Sequence, residues 1–269
     1  MFDTRDLFED SDLLKEEVVK TPKGEVRYYP KRGGLISSLK FSANEVLYLD
    51  KKTLVNQDSA IRGGISVLFP NAGELDSPKF PKLKRHGFAR NMKWNIQESA
   101  VGFLETLDSD ASTKAMLPYC FKLSLAGSFD TKGSFIVKQS VQNIDTKKDM
   151  PVSMGLHPYF RVASKDKKNI KFNFKGGKIV EAGFSEWSNG GTIYIPNPDT
   201  PMEVEIPGVG TLVLEASYEY KRIWVWSEKG KEFICIEPVM RDPGGLVDDP
   251  VMVPPGTTLE AKFKITLLR

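Results

Sequence analysis

Two histidines stand in the 269 residues, His86 and His157, and each lies in a segment of unusual composition. In PVSMGLHPYF the alternation of an extended chain puts Val152, Met154 and Leu156 on one face and Ser153, Gly155 and His157 on the other. The small neighbours leave space beside the imidazole. Pro158 cannot continue a central ladder, which predicts that His157 ends its strand and faces a cleft. Taken alone, the segment also suits a histidine that only completes a core. In EFICIEP, Phe233 to Ile236 form a run apolar on both faces that delivers Glu237 just ahead of Pro238. A carboxyl in that place is half buried, and burial without a partner raises its pKa toward the range useful for proton transfer. The plainer alternative is a glutamate paired with a surface Arg or Lys. Together an imidazole and a carboxyl of this kind could act as acid and base.

A third segment, RGGISVLFPNAGEL followed by KLKRHGFARNMKW, gathers Arg62, Lys84, Arg85 and Arg90 around His86, with Gly63 and Gly64 permitting tight backbone geometry. Guanidinium groups hold phosphate or carboxylate in bidentate fashion, whereas a charge run of this type can equally be a solvated loop. The aromatics Phe69, Phe88, Trp94, Tyr159, Phe160, Trp224 and Trp226 divide between core and the floor of a sugar site, with Tyr159 the candidate beside His157. The histidines and cysteines lack the close spacings of a zinc cluster, so no metal is predicted. A Gly-x-Ser-x-Gly elbow, a P-loop and a dinucleotide fingerprint are all absent, which removes sequence support for hydrolase, NTPase and dehydrogenase readings.

The elements that must position these groups are strands. EVRYYP from Glu25, LISSLKF from Leu35, EVLYLD from Glu45, CFKLSLAGSF from Cys120 and SFIVKQSVQNI from Ser134 are aromatic or β-branched and bounded by turn residues. IKFNF from Ile170, TLVLEA from Thr211, RIWVWS from Arg222 and EFICIE from Glu232 continue the pattern. In the C-terminal AKFKITL, Ala261, Phe263, Ile265 and Leu267 alternate with Lys262, Lys264 and Thr266, as on a strand with one wet face. Helical periodicity is confined to Asp6–Val19 and Ser112–Tyr119, too little to cover a sheet, so sheet must pack on sheet. The expected architecture is an all-β, large single-domain β-sandwich over residues 1–269, with Ser185–Pro201 and Arg241–Pro255 as long loops of functional character.

Composition narrows the partners. A net charge of +3 is too small for a nucleic-acid surface. Cys120 and Cys235 each sit in an apolar run and read as buried free thiols. The acidic N-terminus lacks an apolar signal region, and no stretch is long and apolar enough to cross a membrane, so a cytoplasmic protein without membrane contact is expected.

The ordered segments RGGISVLFPNAGEL, RHGFARNMKW, GLHPYFRV and FICIEP resemble the aldose 1-epimerase and hexose-6-phosphate 1-epimerase superfamily, over about Arg62 to Pro238. That resemblance implies a galactose mutarotase-like β-sandwich with the sugar in an open cleft and no cofactor. It makes Glu237 the base that takes the anomeric hydroxyl proton, and His157 the acid that protonates the ring oxygen. His86 and Arg90 would then hold sugar hydroxyls, and Tyr159 would lie against the sugar. The RGG at Arg62 and the FRV after His157 look like the hexose-phosphate branch, which makes Arg62 the phosphate candidate; a free hexose remains the alternative substrate. The partner implied is a small sugar or sugar phosphate, with the protein a monomer or weak homodimer. Two other readings stay open on the same fold: a non-catalytic carbohydrate-binding protein, and a polysaccharide-processing lyase or hydrolase.

Overall fold

Short runs of alternating apolar and polar residues cannot bury themselves, and here they do so in two antiparallel sheets laid face to face. The computed structural model describes residues 12–56, 59–97, 99, 101–183 and 189–268. The first sheet runs, edge to edge, through Glu17–Thr21, Gly24–Tyr29, Leu35–Phe41, Ile65–Leu68, Gly155–Arg161, Phe233–Val239, Arg222–Trp226 and Thr192–Pro196, with Asn44–Glu45 paired beside Leu35–Phe41. The second runs through Lys171–Asn173, Met202–Ile206, Gly210–Ala216, Thr258–Leu267, Phe135–Asn143, Phe121–Phe129, Phe103–Asp108 and Asn95–Gln97. Met150–Val152 and Val251–Val253 form a separate small ladder. The fold is the all-β sandwich that the alternation predicts.

One continuous apolar cluster joins the sheets, drawing Ile65, Val67, Leu156, Ile234, Ile236 and Val225 from the first and Phe121, Leu123, Val137, Leu214 and Phe263 from the second. Each such side chain contributes about 1.5–3 kcal/mol when fully buried. The outer face of the first sheet carries different chemistry. Its central strands Gly155–Arg161 and Phe233–Val239 are covered on that side too, so nearly every residue in them is buried. Tyr159, Phe233 and Cys235 form a separate outer cluster, as do Leu68, Ala72, Trp224 and Val239.

Several elements depart from the sequence reading. Residues 6–11 of the expected Asp6–Val19 helix lie outside the described residues; of the rest, 12–14 form a turn and 17–19 belong to the strand Glu17–Thr21. The run from Glu45 forms only Asn44–Glu45 and two isolated bridges, Leu47 to Phe160 and Leu49 to Gly63. Ser112–Tyr119 shortens to a helix at Ala111–Lys114, closed by an Asp110–Thr113 capping box. The expected loops hold structure: Thr192–Pro196 is an edge strand, and Gly245–Asp248 is a short helix. Cys120 is only partly buried, while Cys235 is buried as expected, and both are free thiols. Among the described residues no helix is long and apolar enough to cross a membrane.

Candidate active site

His157 does not end its strand. The chain continues extended through Pro158 to Arg161, because the missing donor falls where no ladder bond is made. Tyr159 donates its N–H to Gly64 O at 2.9 Å, toward the strand Ile65–Leu68. Its neighbour Pro158 therefore turns its nitrogen toward Phe233–Val239. The pairs on that side are Gly155 with Val239 at one end, then Tyr159 with Cys235, so the ladder is interrupted between them. Both ends share one register, which sets His157 opposite Glu237 on the outer face. Cross-strand neighbours of this kind touch: His157 Nε2 lies 3.5 Å from Glu237 Oε1.

The same register lays out a floor. Ser66 pairs with His157, Glu237 with Trp224, and Trp224 with Tyr194, which makes one row across the sheet. The next row joins Tyr159, Cys235, Trp226 and Thr192. The Tyr159 ring lies parallel to the His157 imidazole, centroids 4.6 Å apart at 6°. The rings of Trp226 and His86 stand edge-on to that imidazole at 6.0 and 5.4 Å. Above the floor is a cavity of about 470 Å³, lined by His157, Glu237, Tyr159, Trp224 and Trp226 with Arg62, Arg85, His86 and Arg90. That volume is in the range of small-molecule sites.

His86 comes from the loop that follows Ile65–Leu68, and the backbone holds it on two sides. Its N–H donates to Gly73 O at 2.8 Å, and its Nδ1 accepts the Gly73 N–H at 3.0 Å. Asn71 Nδ2 donates to Gly73 O and Lys84 O, which ties both limbs of the loop together. His86 and Gly87 have φ of 67° and 68°, in the left-handed region. A Cβ at Gly87 would lie 1.9 Å from Phe69 O, so glycine is required there. Because Nδ1 accepts a bond, the proton of the neutral ring resides on Nε2, which serves as a donor.

Burial controls the charge states. It lifts the Glu237 carboxyl from 4.5 to about 8, opposed by the nearby Arg85 and Arg90. It pushes His157 well below its ordinary value, reinforced by His86, Arg90, Arg62 and Arg85. His86 is lowered to about 3 by burial and by the same arginines. At neutral pH the pair of His157 and Glu237 therefore holds one proton between two buried groups. His157 Nδ1 and Glu237 Oε2 are buried without a hydrogen-bond partner. Buried polar atoms left unpaired call for a partner, and both residues line the cavity in which a ligand would sit.

The cations differ in how tightly they are held. Arg90 is partly buried, with Nη2 donating to Arg85 O at 3.2 Å and Nε without a partner. Arg62 lies over the Trp226 ring at 5.0 Å and reaches Glu228 at only 3.9 Å. Arg85 makes a long, exposed contact of 3.7 Å with Glu74. Lys84, grouped with these cations in the sequence, does not line the cavity and contributes its backbone carbonyl to the loop. All six predicted site residues, His157, Glu237, Arg62, His86, Arg90 and Tyr159, line the cavity. The sequence reading missed Cys235 as a neighbour of the pair, although its place two residues before Glu237 on one face already signalled it.

The family model described as aldose 1-epimerase matches residues 20–201. The chain belongs to the aldose 1-epimerase family. The matched stretch contains Arg62, His86, Arg90, His157 and Tyr159; Glu237 lies beyond it and joins them through sheet register. This aldose 1-epimerase homologue is 26% identical over 184 residues to a Salmonella typhimurium protein provisionally named a glucose-6-phosphate 1-epimerase, covering 66% of this chain and 57% of that one. It is 28% identical over 165 residues to an Escherichia coli protein with the same provisional name, covering 59% and 52%. The chain thus spans about half the length of these curated relatives. A crystal structure from Synechocystis sp. PCC 6803 superposes with a TM-score of 0.81 at 22% identity, covering 94% of this chain and 95% of the other. A galactose mutarotase-like protein from Lactobacillus casei gives 0.73 at 18% identity, covering 94% and 100%. At these identities the structures speak to the fold, which is galactose mutarotase-like.

Proposed function

We propose that this protein is a mutarotase that interconverts the α and β anomers of a hexose 6-phosphate by acid–base ring opening. The observation that carries the reading is the buried His157–Glu237 contact of 3.5 Å facing a cavity of about 470 Å³. Ring opening needs one group to take the proton of the anomeric hydroxyl and another to protonate the ring oxygen, and closure reverses both steps. A pair that holds one proton supplies both groups at once, each worth typically 10²–10⁴-fold.

Glu237 takes the base role once sugar hydroxyls and Arg90 solvate its carboxylate, with the proton then on His157 facing the ring oxygen. The Nε2–H of His86 and the guanidinium of Arg90 donate to sugar oxygens, and their bonds strengthen as charge develops on the opening ring. Tyr159 and Trp226 provide flat faces for the apolar side of a pyranose.

The phosphate rests on Arg62 and Arg85. Both stand at the cavity, and their carboxylate contacts, 3.9 Å for Arg62 and 3.7 Å for Arg85, are long, so that a phosphate would replace them with shorter charge-assisted bonds. The provisional names of the Salmonella and Escherichia coli relatives point the same way. Anomer exchange followed by NMR saturation transfer on glucose, galactose and glucose 6-phosphate tests the proposal. Acceleration greatest for the phosphate ester is expected. Faster exchange of free hexose would reassign the substrate, and no acceleration of any sugar would leave a binding protein.

A further inference from the structure

The floor of the cleft holds a third donor that proton transfer does not use. Cys235 precedes Glu237 by two residues on the same strand face, pairs with Tyr159, and is fully buried. One ligand atom from each of His157, Cys235 and Glu237 lies within 4.8 Å of the other two. Donors in a tetrahedral zinc site, about 2.0–2.3 Å from the ion, stand roughly 3.3–3.8 Å from one another. The imidazole and carboxylate are already 3.5 Å apart, so the thiol has only a small distance to close.

We propose that His157, Cys235 and Glu237 form a binding site for a divalent cation of the zinc type, which enters from the cleft and competes there with the sugar. The donor set selects the ion: one nitrogen, one sulfur and one carboxylate oxygen suit zinc-like metals, whereas magnesium and calcium require oxygen shells. No competing hydrogen bond fixes the ring or the carboxylate, since His157 Nδ1 and Glu237 Oε2 have no partner. His157 and Glu237 line the cavity, which gives an ion access from the cleft and leaves room for a water as a fourth ligand. The surrounding arginines oppose an added positive charge. Ligation answers this by releasing the thiol and carboxyl protons to water, so a dication replaces two protons and the net charge of the floor is unchanged.

Competition with sugar rests on the mutarotase reading; metal binding does not. The probe is Co²⁺, titrated into the full chain with reduced thiols and followed by the thiolate-to-cobalt charge-transfer absorption in the near ultraviolet. One saturable equivalent is expected, displaced by Zn²⁺. The band should vanish in Cys235→Ser and persist in Cys120→Ser. Glu237→Gln and His157→Asn, each lacking one ligand, should weaken Co²⁺ binding by at least the ~10–100-fold that losing an outer-shell partner causes. Should Cys235→Ser not fold, these two variants carry the test. No saturable sulfur absorption in the wild type would overturn the site, as would an undiminished band in Cys235→Ser or unchanged affinity in both ligand variants. In the exchange assay, Zn²⁺ should raise KM without lowering kcat. A protein that binds Co²⁺ through sulfur yet exchanges no anomer supports the metal site and sinks the mutarotase reading.

Discussion

Glu237→Gln preserves the size of the side chain and removes its titration, so it isolates what burial of this carboxyl does to stability. In the folded chain the group is lifted from 4.5 to about 8 by desolvation. Between those values the folded state keeps a proton that the unfolded state has released. Stability then falls as pH rises, by about 1.4 kcal/mol per pH unit for one proton. The favourable contribution is fully present below the unfolded pKa and is lost by about pH 8. From about pH 5 to 8 the cumulative difference between wild type and variant should be on the order of 4 kcal/mol, the wild type falling more steeply. Urea unfolding at a series of pH values measures it, with the slope of the difference curve as the readout. Parallel curves would refute the reasoning, because they would mean that Glu237 is ionised beside a neutral His157, so that the folded pair binds no proton across this range.

Other outcomes follow from the same geometry. The value of kcat/KM should be level through neutral pH and fall above about 8 as the single proton of the pair is lost, with no acid limb until well below 6.5; activity that rises through pH 8 would contradict this. Arg62→Ala should raise KM for glucose 6-phosphate by about tenfold, the worth of one charge-assisted contact at a half-exposed site, and leave glucose unaffected. Equal effects on both sugars would make Arg62 structural. Glu105 lies on the core-facing side of Phe103–Asp108, with neither oxygen partnered and its carboxyl raised to about 8 by burial. Glu105→Gln should therefore remove a second slope of about 1.4 kcal/mol per pH unit, read by the same unfolding series, while anomer exchange is unchanged.

Period-2 alternation was informative wherever one face of a strand is wet. It set Ala261, Phe263 and Ile265 inward of Lys262 and Lys264; alternation also set His157 apart from Val152, Met154 and Leu156, whereas aromatic and β-branched content between turn residues placed Leu35–Phe41 at its observed bounds and a run apolar on both faces delivered Glu237 at its end. The contact between His157 and Glu237 was not legible, because it depends on register between strands more than seventy residues apart in sequence. The position of Pro158 misled for a physical reason: a proline can occupy a central strand when its nitrogen faces a gap in the ladder, and that gap is a property of the neighbouring strand. The long loop between Ile65–Leu68 and the His86 region shows the other limit. Its composition indicates cations near a histidine, but the clamp on His86 consists of backbone bonds to Gly73, which residue types do not encode. That Cys235 shares a face with Glu237 is legible from strand alternation, whereas its approach to His157 depends on the register between strands and shows only in the packed site.

The central claim is that His157 and Glu237 act as one proton-transfer unit on a bound sugar. Anomer exchange in wild type, His157→Asn, Glu237→Gln and the double variant, with sugar affinity measured alongside by calorimetry, tests it most directly. The account predicts that each single variant loses at least ~10²-fold in rate, that the double variant is hardly slower than either, and that sugar still binds. Near-wild-type exchange in either single variant, or losses that multiply in the double one, would contradict it.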